Sequence, residues 1–116
     1  MSLIRTLTAL LIVFAGLGTA QAAVVQAPHI EAELVAEQTS WLPGTINWVA
    51  LRLKPEFGWH TYWRNPGDSG LATTLKWTLP ANWSAGEIQW PYPQPHKLGD
   101  LTNYGYGEET LHLVAI

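Results

Sequence analysis

The sequence has 116 residues, a formal net charge of −3, no cysteine and seven tryptophans. A chain of this length forms a single domain, and its six basic residues argue against a surface that neutralises phosphates, so nucleic acid is not an expected partner. Without cysteine the sequence has no disulfide, no thiolate metal ligand and no thiol nucleophile.

Residues 1–22 have the pattern of a secretory signal peptide. Arg5 provides a positive charge ahead of a short apolar run, and Ala20 and Ala22 put small side chains where a signal peptidase requires them. An uncleaved membrane anchor is the alternative, but the run is shorter than the roughly 20 residues of a spanning helix. The pattern therefore predicts an exported, periplasmic domain formed by residues 23–116.

The rest of the chain is a series of short strands and turns. Residues 29–37 alternate polar and apolar side chains, and residues 46–53 put Val49, Leu51 and Leu53 on one face. Such strands, separated by frequent turn residues, are typical of an all-β, immunoglobulin-like antiparallel β-sandwich. The predicted strands are 29–37, 46–53, 59–63, 73–79, 87–90 and 110–116, with turns at 41–44 and 103–107. In the strand at 73–79, Thr73, Leu75, Trp77 and Leu79 are predicted to lie on one side.

Three other segments are assigned by their composition. Residues 24–28 are interpreted as a flexible lead-in, and residues 64–70 as a loop, because two glycines and a proline suit neither a helix nor a strand. Residues 110–116 show no turn or polar tail after the last predicted strand, and a sandwich of this type has about seven strands. We therefore expect the fold to be missing its last strands in this sequence.

The candidate catalytic residues do not form a recognisable motif. Asp68, Ser69 and His60 are close in sequence, but no Gly-x-Ser-x-Gly accompanies them, and a serine nucleophile requires a geometry that sequence does not give. The four histidines also lack the spacing of metal ligands. We predict no catalytic residue, no metal site and no cofactor in this chain.

The aromatic residues are the stronger functional signal. Seven tryptophans are too many for one small core, so some must lie near the surface, either covering turns or forming a platform for a sugar, a peptide or a neighbouring domain. Prolines hold the aromatics of residues 90–93 in place, and residues 104–106 add two more. These two segments predict an exposed patch, formed by Trp90, Tyr92, Tyr104 and Tyr106.

One long block resembles a known family. Residues 58–70, Gly-Trp-His-Thr-Tyr-Trp-Arg-Asn-Pro-Gly-Asp-Ser-Gly, together with residues 88–93 and 103–106, are similar to the N-terminal periplasmic domain of DsbD/ScsB-type thiol:disulfide interchange proteins. The resemblance extends from about residue 29 to residue 116. It implies an immunoglobulin-like sandwich that precedes a membrane-spanning electron-transfer domain and a thioredoxin-like domain. In that family, a cysteine pair relays reductant to periplasmic proteins, including in cytochrome c biogenesis.

The sequence departs from this family in having no cysteine. The resemblance implies that the pair follows the strand at residues 110–116, so no catalytic residue is carried over, and without a thiolate the segment itself cannot exchange a disulfide. What carries over is a scaffold motif of Trp59, Tyr62, Arg64, Asn65, Pro66, Gly67, Asp68 and Gly70.

We expect the segment to supply a docking surface. Its implied partners are periplasmic thiol-disulfide proteins and the membrane electron-transfer domain of the parent chain. A carbohydrate-binding sandwich and a free-standing structural or chaperone-like sandwich are the alternatives. The expected docking and motif residues are Trp59, Tyr62, Arg64, Asn65, Asp68, Trp90, Tyr92, Tyr104 and Tyr106.

Overall fold

The fold is all-β. A computed structural model describes residues 23–116, and the predicted signal peptide lies outside these described residues. Within residues 23–116 there is no helix, and the strands form two antiparallel sheets. The strands are β1 (Val25–Ala27), β2 (Ile30–Ala36), β3 (Trp48–Pro55), β4 (Thr61–Gly67), β5 (Gln94–Leu98), β6 (Leu101–Tyr106) and β7 (Thr110–Ala115).

The first sheet has the order β1-β2-β3-β7. Its inner face follows the predicted alternation, because Val49, Leu51 and Leu53 of β3 are all buried. The register places Leu51 opposite His112 and Val49 opposite Val114 of β7, and these two β7 side chains are also buried. The predicted strands at residues 46–53 and 110–116 are confirmed, with the first displaced by two residues toward the C-terminus.

The second sheet has the order β4-β6-β5. Its central strand β6 contains Gly105, and a Cβ at this position would collide with the carbonyl oxygen of Thr61 on β4. A glycine is therefore required where the two backbones approach. The turn between β5 and β6 is only two residues, Gly99 and Asp100, and Gly99 has the positive φ of 61° that such a tight hairpin requires.

The two sheets meet around His112 of β7. The plane of the His112 imidazole is nearly perpendicular to the rings of Tyr106 of β6 and Trp90. The ring centroids lie 5.2 Å apart for Tyr106 and 5.3 Å apart for Trp90. Both His112 and Tyr106 are buried. This contact across the two sheets is consistent with the predicted β-sandwich, and it places an imidazole among the apolar side chains between them.

The predicted loop at residues 64–70 is wrong in its first half, because β4 continues to Gly67. The ladder between β4 and β6 pairs Tyr62 with Gly105 and resumes only at Gly67, opposite Asn103. The intervening residues bulge out of register on an edge strand, where a proline removes no ladder hydrogen bond. Proline and glycine therefore do not exclude a strand here.

The predicted turn at residues 103–107 is also wrong over most of its length, because residues 103–106 belong to β6. Two further strands, β1 and β5, were not predicted. The predicted lead-in contains β1, which pairs with β2 across a two-residue turn, and β5 contains Pro95 but lies at the edge of its sheet, where a missing N–H is tolerated.

The predicted strands at residues 73–79 and 87–90 do not form ladders. Residues 73–79 have no assigned strand structure, and the second segment makes a single bridge, from Gln89 to Leu113 on β7. The side chains of residues 73–79 nevertheless alternate between half-buried and exposed. The periodicity thus predicted the direction of these side chains correctly but not the pairing of their backbone.

Candidate functional site

The Asp68-Ser69 part of the motif is bound tightly to β6. The backbone N–H of Thr102 donates to the Asp68 carboxylate at 2.8 Å, and the Asp68 N–H donates to the Thr102 carbonyl at 3.0 Å. The Ser69 N–H and hydroxyl both donate to Oδ1 of Asn103, at 3.0 and 2.9 Å, and Asn103 is fully buried. The polar groups of Asp68 and Ser69 are thus engaged in bracing the second sheet.

Two glycines allow this segment to lie close against the sheet. Gly67 has a φ of 90°, and a Cβ there would stand 2.5 Å from the carbonyl oxygen of Thr102. Gly70 has a φ of 94° and covers the ring of Tyr62, which a Cβ at that position would overlap. The positive φ values and the close contacts both restrict these positions to glycine. Tyr62 is consequently half-buried beneath the motif.

Arg64 and Asn65 lie on the exposed, bulged part of β4. The Arg64 guanidinium stands 5.3 Å from the centroid of the Trp63 ring, a distance at which a cation attracts an aromatic face. Within the described residues no carboxylate lies within 4.0 Å of Arg64. The charge of Arg64 therefore faces solvent.

Trp59 belongs to a separate surface at the turn between β3 and β4. Its ring stacks on His29, with centroids 3.7 Å apart and planes within 7°, and Nδ1 of His29 lies 3.0 Å from a carboxylate oxygen of Glu56. One face of Trp59 is therefore already occupied by a side chain of the same protein. The neighbouring Phe57 is fully exposed.

The predicted patch of four aromatics divides into exposed and buried members. Tyr92 is 94% exposed and Tyr104 is 41% exposed, whereas Trp90 is half-buried against His112. Tyr106 is only 4% exposed, so its expected exposure is wrong. Its hydroxyl donates to the Pro91 carbonyl at 2.7 Å, and burial raises the pKa of Tyr106. Tyr106 therefore anchors residues 91–93 to β6 instead of facing a partner.

Three histidines, His60, His96 and His112, are half-buried or fully buried. Burial lowers the pKa of His112, whose Nε2 has no hydrogen-bond partner. His60 and His96 stack in parallel, with centroids 4.3 Å apart and planes within 1°, and burial followed by the charge of His96 lowers the pKa of His60. Residues 23–116 contain no cluster of three or more histidine, cysteine or acidic side chains arranged to hold a metal ion.

Two residues from distant parts of the sequence meet in one groove. Arg64 of β4 and Trp90 both line a groove of about 470 Å³, together with residues 73–75, Trp77 and residues 86–88. The motif and the Trp90 segment are therefore adjacent here, although Trp59 is elsewhere. The sequence signal for this groove is the alternation at residues 73–79, which by itself predicts only a paired strand.

Comparison with models of known protein families shows which family the chain is related to. The family model for the N-terminal region of thiol:disulfide interchange protein DsbD matches residues 27–116. The comparisons with curated proteins and with solved structures find no match. Over residues 23–116 the structure contains no helix with the length and apolar character needed to cross a membrane.

Proposed function

Because the chain belongs to the family of N-terminal domains of thiol:disulfide interchange protein DsbD, we propose that it is the docking and scaffold module of a periplasmic protein-disulfide reductase. In this proposal the intact protein relays reductant to oxidised periplasmic proteins, and the present segment holds the partner in place. The observation that carries the proposal is the family match, which extends over residues 27–116.

The sequence contains no cysteine, so the thiol chemistry is assigned to residues outside it. We infer that a cysteine pair and the membrane electron-transfer domain are encoded in the same gene. Reading the coding DNA beyond the codon for residue 116 tests this inference. A cysteine pair followed by apolar stretches of about 20 residues supports it, and a gene without them contradicts it.

Some residues of the motif hold it against β6, whereas other residues that we expected at the docking surface face solvent. This division supports a docking role. Asp68 and Ser69 use their polar groups to hold the motif against β6, while Arg64 and Tyr92 face solvent. An aromatic side chain held by a rigid proline-containing segment loses little conformational entropy when it binds. We therefore assign Tyr92 as the principal aromatic contact, with Tyr104 beside β5 as a secondary one.

The test compares two exposed aromatic residues in the intact reductase. Tyr92→Ala removes the proposed contact, and Phe57→Ala removes an equally exposed ring at the distant β3–β4 turn. The rate at which a periplasmic partner disulfide is reduced is followed by trapping free thiols. We expect Tyr92→Ala to lower the second-order rate constant about tenfold, as for the loss of an interface anchor, and Phe57→Ala to leave it unchanged. Equal rates for the two variants would contradict the proposal.

A substitution of Trp90 would not test docking alone, because the Trp90 ring packs against the buried His112. A Trp90→Ala variant removes a large side chain from the contact between the two sheets, and such changes cost about 3–5 kcal/mol in a core. A loss of partner reduction in that variant would report unfolding as readily as lost contact. Tyr92→Ala, made alone, avoids this ambiguity.

We also propose that residues 1–22 direct export and are removed after Ala22. The small residues at positions 20 and 22 support this assignment. Expression of the full gene segment in a bacterium, followed by osmotic shock and N-terminal sequencing, tests it. A periplasmic product that begins at Ala23 supports the proposal, and a product that retains Met1 contradicts it.

A further inference from the structure

Two histidines connect the edges of the second sheet. His96 lies on β5 and His60 directly precedes β4, and these two strands are the edges of the sheet, with β6 between them. The two imidazole rings are parallel to within 1°, and their centroids are 4.3 Å apart. Because β4 and β5 are not hydrogen-bonded to each other, this stack is a direct side-chain connection between the two edges.

A glycine at the end of β6 leaves room for the stack. Gly107 directly follows the last residue of β6, and a Cβ at this position would lie 3.2 Å from Cε1 of His96. This separation is shorter than the roughly 3.5–4.0 Å at which two carbon atoms pack best. A side chain at position 107 would therefore push against the His96 ring, which the glycine does not.

The stacked rings have no charged partner among the described residues. Nε2 of each ring is buried without a hydrogen-bond partner, and neither ring forms an ion pair. On the β4 side the Tyr62 ring packs at a centroid distance of 5.0 Å, and on the β6 side Asn103 lies opposite His96. Both of these neighbours are uncharged near neutral pH. Lys97, next to His96, and Glu108, next to Gly107, are exposed and also form no ion pair in residues 23–116.

We propose that the stack of His60 and His96 is a pH-sensitive latch, which holds the two edge strands together at neutral pH and releases β5 in acid. Uncharged aromatic rings attract one another when they stack, whereas two imidazolium ions at this distance repel each other. No carboxylate of the described residues pairs with either ring to offset that repulsion. The latch goes beyond the proposed docking function and does not depend on it.

The strand β5 is weakly held apart from this stack. It has five residues, of which four are exposed, and Pro95 gives no N–H to the ladder. Strands with few buried side chains open locally at a lower free-energy cost than the core does. Burial lowers the pKa of His60 from 6.5, and the charge of His96 lowers it further, so the open state takes up protons more readily than the latched state. The latch is therefore complete above about pH 6.5 and is lost as the pH falls from there.

Hydrogen exchange of the purified chain, measured by NMR between about pH 7.5 and 5.5, tests the latch without any substitution. Each amide rate is divided into the intrinsic rate of an unstructured chain at the same pH, which gives a protection factor. We expect protection in β5 to fall more than protection in β3, by up to about tenfold per pH unit for each proton taken up. Destabilisation through His112 acts on the whole domain and lowers protection in both strands. A fall in β5 no larger than that in β3 would overturn the proposal.

A pair of phenylalanine substitutions separates the charge of the latch from its packing. His96→Phe keeps an aromatic ring against His60 and removes one of the two proton-binding groups, so the excess loss of β5 protection in acid should fall by at least about half. His29→Phe is the matched control, because His29 also stacks on an aromatic ring, that of Trp59 at 3.7 Å, but lies between β1 and β2 of the first sheet. This control should retain the acid response of β5. The same response in both variants would overturn the assignment of the latch to these two histidines.

Discussion

Acid is expected to destabilise the domain through His112. This side chain is 0% exposed, its Nε2 lacks a hydrogen-bond partner, and the rings of Trp90 and Tyr106 pack against it. The polar neighbour of its other nitrogen is the Thr110 hydroxyl, 3.4 Å from Nδ1. No acidic side chain of the described residues forms an ion pair with it. A proton on this imidazole would place an uncompensated charge between the two sheets.

The direction of the pH effect follows from the lowered pKa. Burial holds the pKa of folded His112 below its ordinary value of 6.5, so the unfolded chain binds a proton more readily than the folded one. The stability that depends on neutral His112 is complete above about pH 6.5 and is lost as the pH falls from there through the folded-state pKa. Within that window the loss reaches about 1.4 kcal/mol per pH unit for one histidine. His60, whose pKa burial also lowers, adds to the loss in the same direction.

The measurement is urea unfolding, followed by tryptophan fluorescence, at several pH values between about 7.5 and 5.5. His112→Phe keeps a ring of similar shape and removes the titrating group, so we expect its free energy of unfolding to fall less steeply with decreasing pH. Tyr106→Phe is the control: it removes the hydrogen bond to Pro91 and lowers stability equally at every pH in this range. A His112→Phe protein with the pH slope of the unchanged protein would refute the reasoning.

Four other substitutions test the scaffold. Gly67→Ala and Gly44→Ala both force alanine into a positive φ, but only the first puts a Cβ 2.5 Å from a backbone oxygen; thermal unfolding should show about 1 kcal/mol lost at Gly44 and clearly more at Gly67. Asp68→Ala removes the acceptor for the Thr102 amide, so hydrogen exchange at that amide should accelerate while β3 amides remain protected. Arg52→Leu removes the cation that contacts three glutamates; the urea midpoint should fall more at low salt than at about 1 M, where like-charge repulsion is screened. An equal fall at both salt concentrations would assign the effect to packing.

The first sheet was the predictable part of the fold. In β7, and in β3 apart from Ala50, buried side chains alternate with more exposed ones, so the alternation of Val49, Leu51 and Leu53 is visible in the sequence. The second sheet gave no such signal. Its central strand contains Gly105, which is required by the approach of Thr61, and its edge strands contain Pro66 and Pro95. These residues indicate turns when their neighbours in space are unknown.

The bracing contacts of the motif were not predictable for a similar reason. The sequence identified Asp68 and Ser69 as polar residues in a glycine-containing block, and a local turn was the natural interpretation. Their actual partners, Thr102 and Asn103, are 34 residues away along the chain. Only the pairing of β4 with β6 brings the two segments together, and the bulge in β4 carries Asp68 past the end of the ladder to reach them.

The case of residues 73–79 separates two kinds of information in a strand pattern. The alternation of polar and apolar side chains predicts which face of an extended segment is buried, because successive side chains point to opposite faces. For residues 73–79 the predicted faces are correct. Pairing depends on a second backbone at about 4.8 Å, which the pattern of one strand does not encode. This segment therefore has the side-chain order of a sheet strand without its ladder.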